Sequence, residues 1–454
     1  MSGDTILKKL IGRTPFLKDA LDHHMLEVIS GASTAFVLKA VGTGLAFLFN
    51  VVLARKLGVE GAGLYFLAFT VISIAGVLSC AGLDNALLRF VASSAAAGDW
   101  TAVKGACRKG LIISAAASIV SAVFVFSASP WIAKAVFSKP ELAGVLRWMS
   151  LAIFPMSMLV IYSEMLKGLK LIMKSHLVQG VLVWLLSLTG ILFLSGVWGV
   201  YGAVWAFTAA SFVTAVVATI LWRRAVPQLK GIKGNFRLNK LLDSSVPLFL
   251  VSAMYLVIQW TSTFALGIWG TKAEVGVFSV AFRTAMLISF VLISVKSIAA
   301  PKFAALYSLG DMDALGKTAR NSARLLTLMA APVLALFIIF PSRIMGVFGE
   351  EFRQGGMILA ILAAGQFVNV ATGSVGYLLM MSGNERILRN NVAFAAAVNV
   401  ALNALLVPRY GILGAAVATS LSVSLLNITA SYLVYKKINI KTIPWPDLKR
   451  WSDG

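Results

Sequence analysis

The stretch VGVFSVAFRTAMLISFVLI, Val275 to Ile293, is apolar enough to cross a membrane except at one residue, Arg283. A second apolar stretch, TAFVLKAVGTGLAFLFN, carries Lys39 in the same way. An arginine near the centre of a span costs roughly 2.5 to 3.5 kcal/mol on insertion scales, so a partner or a ligand must offset it. The chemistry such a cation offers is anion binding. A guanidinium donates two parallel hydrogen bonds to a phosphate, and a lysine supplies a point charge. Counted from the outer end of its span, Arg283 lies about 12 Å deep at 1.5 Å per residue, too deep for easy snorkelling. Arg147, close to a span end, can reach the headgroups.

The neighbours of these cations are patterned. Lys39, Thr43, Ala46 and Asn50 follow i, i+4, i+7, i+11 and form one small or polar stripe. Ser279, Arg283 and Ser294 align on a second helix, and Ser252, Tyr255, Gln259 and Ser262 or Thr263 on a third. Such stripes turn away from lipid toward a watery or protein-lined interior. Internal pairing with carboxylates stays open, but Asp84 and Glu164 lie near span ends and no Asp or Glu sits at a span centre. Without pairing, the interior is a cationic cavity.

The elements that must position these residues are membrane spans. The 454-residue chain is 59% hydrophobic and only 13% charged, with mean hydropathy +0.87. That balance predicts an all-α polytopic membrane protein with about 12 transmembrane helices, six within 28–222 and six within 244–436. The first, seventh and eighth spans run over Val28–Leu53, Val246–Trp269 and Val275–Ile298. The net charge of +22 is a topology signal: about 29 Lys/Arg fall in one set of alternate segments and about 8 in the other. Both termini are therefore expected in the cytoplasm, and nucleic-acid binding is excluded. Cys80 and Cys107 fall near the cytoplasmic side, so no disulfide is expected. No His, Cys or carboxylate cluster has metal-ligand spacing, and no cofactor is expected. The first residues are too charged and broken for a cleavable signal peptide; TILKKLIGR reads as a short amphipathic helix along the inner membrane surface or as a disordered tail.

The chain also repeats itself. GVYGAVWAFTAAS from Gly199 matches GILGAAVATSLSV from Gly411, an offset of 212 at which Gly98 and Asp99 fall on Gly310 and Asp311. LGVEGAGLYFLAF from Leu57 lies over WGTKAEVGVFSVAF from Trp269 within one residue of that offset. Six helices per repeat put both halves into the membrane from the same side, as two lobes about a pseudo-two-fold axis along the membrane normal. The expected domains are a cytoplasmic tail 1–27, an N-lobe 28–222, a basic inter-lobe linker 223–243, a C-lobe 244–436 and a cytoplasmic tail 437–454. Short outer loops leave no room for an external catalytic domain, and no GxxxxGK[ST] phosphate loop is present, so no enzymatic activity is expected.

LARKLGVEGAGLYFLAFTVISIAGVLSCAGLDNALLRFVA (Leu53–Ala92) and VGVFSVAFRTAMLISFVLISVKSIAAPKFAALYSLGD (Val275–Asp311) resemble the polysaccharide-transport branch of the multidrug/oligosaccharidyl-lipid/polysaccharide (MOP) exporter superfamily, the lipid-linked oligosaccharide flippases. The resemblance runs from about Gly31 to Lys437. It implies a two-lobed, MATE-like fold that works by alternating access. The implied substrate is a polyprenyl-pyrophosphate-linked oligosaccharide, turned from the inner to the outer leaflet of the bacterial cytoplasmic membrane for surface polysaccharide synthesis. It implies membrane lipids and polysaccharide-biosynthesis proteins as partners, and leaves a coupling ion, H+ or Na+, undefined. Lipid II flippases, a sister branch, carry a cavity arginine on the eighth helix to which Arg283 corresponds. Lys39 falls where that branch has cationic residues on the first helix, although the motif around it differs.

The expected substrate site is Arg283, Lys39, Asn50, Thr43, Gln259, Tyr255 and Ser279, with Asp84 and Arg89 as gate candidates at the cytoplasmic ends. Two other readings compete. A cation-coupled multidrug exporter of the same superfamily needs a membrane-embedded carboxylate, where this first span has Lys39. A non-transporting scaffold would not account for two buried cations.

Overall fold

The computed structural model describes the backbone of residues 23–442 and the side chains from Phe36 onward, apart from most of 291–305. TILKKLIGR, the side chain of Ser294 and residues 443–454 of the expected carboxy-terminal tail lie outside the described residues. The described residues form helices joined by short turns, with no strand among them.

Nine helical stretches among the described residues are long and apolar enough to cross a membrane. Three of them, Phe36–Cys80, Ile172–Ala225 and Glu385–Ile438, have 45, 54 and 54 residues, about twice what one crossing needs. Each breaks at a glycine in a left-handed conformation. α1 (His23–Cys80) turns at Gly58 (φ 65°), α7 (Val183–Ala225) at Gly199 (φ 53°, ψ −127°) and α14 (Glu385–Ile438) at Gly411 (φ 52°, ψ −131°). No Cβ tolerates that backbone comfortably. The near-identity of Gly199 and Gly411 is the sequence repeat expressed in backbone angles. Another instance is the start of α3 (Trp100–Trp131) and of α10 (Met312–Ile339). Asp99 (φ −82°, ψ 79°) accepts from Ala102 N–H and Asp311 (φ −81°, ψ 78°) from Ala314 N–H, each closing one free amide of a helix start.

Between these lie α2 (Leu83–Ala96), α4 (Leu142–Met149), α5 (Ile153–Gly168), α6 (Ile172–His176), α8 (Leu238–Trp269), α9 (Lys272–Ser308), α11 (Pro341–Gly346), α12 (Gly356–Ala371) and α13 (Val375–Met381). Two helices run longer than hydropathy indicates. α8 begins at Leu238 rather than Val246, because its polar first turns bury Leu241 and Ser245. α9 continues past Ile298 to Ser308, where Phe303 is buried against α13. The segment between α7 and α8 folds back on the first turns of α3. Asn235 N–H donates to Thr101 O at 3.0 Å, Lys104 Nζ to Leu229 O at 2.8 Å and Lys109 Nζ to Phe236 O at 2.6 Å.

This connection defines a linker face; the kinked glycines lie at the far face. The main core lies between α1 and α9, with Phe49, Leu53, Tyr65, Phe66 and Phe278 fully buried in it. At the far face the two repeats are bonded together. Lys272 pairs with Glu60 (3.2 Å) and Glu141 (3.1 Å), Arg55 Nε donates to Val347 O (2.7 Å), and Lys139 Nζ donates to Gly267 O (2.6 Å). α1 and α9 cross there at Gly63 and Gly276. A Cβ on Gly63 would stand 1.9 Å from Lys272 O, and one on Gly276 2.1 Å from Val59 O.

Candidate functional site

α1, α8 and α9 leave between them a cavity of about 200 Å³, lined among others by Thr43, Asn50, Gln259, Ser279 and Arg283. Five of the seven residues expected at the substrate site thus line one space. Helical spacing is the cause: Thr43, Ala46 and Asn50 share a face of α1, and Ser279 and Arg283 stand one turn apart on α9. Thr43 Oγ1 donates to Lys39 O and Asn50 Nδ2 to Ala46 O, so both side chains return hydrogens to their own helix and keep acceptor oxygens. Ser279 is 4% exposed and its hydroxyl has no partner among the described residues. A buried orphan hydroxyl facing a cavity is a group that awaits a ligand or water.

Arg283 is half-buried, and among the described residues no carboxylate pairs with it and no acceptor takes a hydrogen bond from it. Its guanidinium carbon lies 4.7 Å from the ring centroid of Phe66 and 5.1 Å from that of Phe69, both on the second segment of α1. Cation–π contacts of this kind contribute roughly 0.5 to 2 kcal/mol each, comparable to the cost of placing the charge there. The contacts engage the middle of the guanidinium, while its hydrogen-bond donors sit on the rim. The site therefore holds a cation in place with its donors uncommitted. Phe66 and Phe69 are functional neighbours that the sequence does not announce, since a buried phenylalanine pair three apart reads as ordinary core.

The other expected residues lie elsewhere. Tyr255 faces an adjoining cavity that shares Gln259, Phe282 and Met286 with the first. Lys39 lines neither cavity; it sits lower on the α1 stripe, half-buried and within electrostatic range of Lys167 and His176. Asp84, at the start of α2, accepts from the Asn85 amide at 3.0 Å, and burial pushes its carboxyl up from the usual range. Arg89 is exposed in a linker-face recess with Arg237, Lys240 and Asp243. Arg147 is exposed at the far face, its guanidinium carbon 5.4 Å from the Phe126 centroid. Glu164 pairs with Lys167 on its own helix.

Residues 28–306 match the model of the polysaccharide biosynthesis protein family, more than half of the chain. The chain belongs to that family. Residues 247–405 also match the MatE family, and the two matches together belong to the MOP superfamily. A sequence relative is the probable low-salt glycan biosynthesis flippase Agl15 of Haloferax volcanii, 24% identical over 234 residues, 51% of this chain and 49% of that protein. The match thus spans about half the length of that relative. Two solved structures share the fold. An inward-facing multidrug resistance MATE family transporter of the MOP superfamily has a TM-score of 0.73 at 16% identity, covering 89% of this chain and 98% of that one. The lipid II flippase MurJ in an inward closed conformation has a TM-score of 0.70 at 15% identity, covering 89% and 87%. The chain is accordingly a multi-pass membrane protein with the all-α MOP fold.

Proposed function

We propose that this chain is a flippase for a polyprenyl-pyrophosphate-linked oligosaccharide, moving it from the inner to the outer leaflet by alternating access and catalysing no covalent step. The observation that carries the reading is Arg283: a cation deep in a cavity, free of any carboxylate among the described residues, with its rim donors open. Its natural occupant is an anion whose oxygens accept in parallel, which a pyrophosphate provides. Ser279, with its orphan hydroxyl, and Thr43 and Asn50 line the same cavity. The flippase name of the Haloferax relative supports the same substrate class.

In this reading the chain crosses the inner membrane twelve times in two lobes, 28–222 and 244–436, joined by the linker 223–243, with both termini in the cytoplasm. The far-face bonds between repeats keep the outer ends together while the headgroup loads from the linker face. Release of those bonds lets the cavity open outward. The hydrophobic tail stays in lipid throughout, so only the headgroup needs a polar path.

A second reading, a cation-coupled multidrug exporter, is favoured by the match to the MatE family and the fold likeness to a multidrug transporter. Against it stands the cavity itself, whose lining contains Arg283 and, among the described residues, no carboxylate. The deciding measurement is thermal stabilisation of the purified protein by an undecaprenyl-pyrophosphate-linked oligosaccharide and by a lipophilic cation. A ligand at 100 times its Kd stabilises by about 2.7 kcal/mol. The lipid is expected to stabilise wild type and Arg147→Ala, and to fail with Arg283→Ala, which inserts normally but does not flip. Stabilisation by the cation alone would overturn the flippase reading.

A further inference from the structure

The cavity at Arg283 continues into a larger one of about 550 Å³ enclosed by α8, α9, α12, α13 and α14, the two sharing Gln259, Phe282 and Met286. Its character is different. No charged residue lines it among the described residues; its polar groups are the amides of Gln259, Gln366, Asn369 and Asn427, the hydroxyl of Ser374 and the rings of Tyr255 and Tyr377.

The amides are organised. Ser289 Oγ donates to Gln366 Oε1 at 2.6 Å, and Asn369 Nδ2 donates to the same oxygen at 3.3 Å and to Ser289 Oγ at 3.2 Å. Two donors on one oxygen fix which end of the Gln366 amide accepts, and among the described residues nothing accepts from its NH2 end. Gln366 is 5% exposed, so its orientation is held by packing as well. Asn427 returns its Nδ2 to Val423 O at 2.8 Å, which leaves its oxygen.

We propose that this second cavity is a glycan subsite: it takes uncharged sugar rings of the headgroup while Arg283 holds the pyrophosphate. The assignment rests on the flippase reading above and adds where the sugar goes. Oriented amides donate to and accept from ring hydroxyls, and tyrosine faces pack on the apolar faces of sugars. An isoprenoid tail in the same space would cover the four amides without bonding them, at roughly 1 to 3 kcal/mol for each group left unsatisfied. The order of the two cavities also suits the ligand, because in a lipid-linked oligosaccharide the sugar is attached directly to the pyrophosphate.

The test compares Kd for undecaprenyl pyrophosphate and for the same lipid bearing an N-acetylhexosamine-initiated oligosaccharide, in wild type, Gln366→Met and Tyr255→Leu. Gln366 is buried, so the exposed Tyr255 supplies a variant that does not depend on tolerance of a core change. Wild type is expected to bind the glycosylated lipid about tenfold more tightly. Each variant should lose most of that preference while its Kd for the glycan-free lipid stays unchanged. A preference that persists in both variants overturns the subsite, as does an equal loss for both lipids, which would make the cavity an isoprenoid groove. Equal binding of the two lipids by wild type overturns the subsite and leaves the pyrophosphate clamp standing. If wild type binds neither lipid, the flippase reading falls and the subsite with it.

Discussion

Replacing Gly63 by alanine tests what holds the far ends of the repeats together. The added Cβ would stand 1.9 Å from Lys272 O, so α1 and α9 must separate by about 1.4 Å to reach the ~3.3 Å of a close C–H···O approach. Neither atom can swing aside, since one is a carbonyl and the other is fixed to its own helix. Overpacking of this kind costs about 1 to 3 kcal/mol, and the cost falls on the closed arrangement alone. At about 1.4 kcal/mol per factor of ten, the equilibrium moves roughly 5- to 150-fold toward the arrangement with the ends apart. The assay is the rate at which a membrane-impermeant maleimide, added from the far side, labels Ser279→Cys in a background lacking Cys80 and Cys107. Both native thiols are free and buried, so their removal leaves one reporter. Gly63→Ala should raise the rate at least about fivefold. Gly44→Ala, where a Cβ meets nothing within 4 Å, should leave it unchanged. An unchanged rate in Gly63→Ala with an unchanged Tm would refute the argument that this crossing limits access.

Two further outcomes follow from local geometry. Asp311→Ala removes the acceptor that caps α10 and should destabilise the protein by about 1 kcal/mol in denaturant titration, whereas Asp311→Asn, which keeps an acceptor oxygen, should lose little. Asp84→Asn should raise Tm at neutral pH, because burial has pushed this carboxyl up and the native state resists its charge. The sign then fixes the pH profile: acidification through the raised value protonates Asp84 in wild type, so the advantage of the variant must shrink there and be absent at still lower pH. A constant difference across pH would mean that the carboxylate is not strained by burial.

Much of the cavity was legible because its residues sit on helices at fixed spacing. Thr43 with Asn50, and Ser279 with Arg283, are brought to one face by helical geometry, which needs no knowledge of the partners. What stood opposite Arg283 was not legible. Phe66 and Phe69 are more than 200 positions away in sequence, and only the crossing of α1 with α9 puts them there. Lys39 shares the stripe of Thr43 but lies a turn lower, about 6 Å along the axis, beyond the cavity. Gln366 and Asn369, two amides in MILAILAAGQFVNVA, form no polar stripe in the sequence; what joins them is Ser289, on a different helix. Helix continuity was equally hidden. Arg55, Lys56 and Glu60 flank Gly58, and Pro408 and Arg409 precede Gly411, whereas Gly199 bends the chain inside an apolar run with no charged residue to mark it.

The crossing at Gly63 and Gly276 aligns the repeats at an offset of 213, at which Thr70 is the counterpart of Arg283, Phe69 of Phe282 and Phe66 of Ser279. Thr70 turns its hydroxyl back to Phe66 O at 2.8 Å and offers no charge. One copy therefore supplies the cation and the other the aromatic seat beneath it. In a symmetric dimer each subunit would have to supply both, and two arginines would confront each other across the axis. A doubled chain is free of that constraint: its frame stays even-handed while its chemistry becomes one-sided. An anion bound in such a cavity would meet a left and a right, and so would have only one way round to sit.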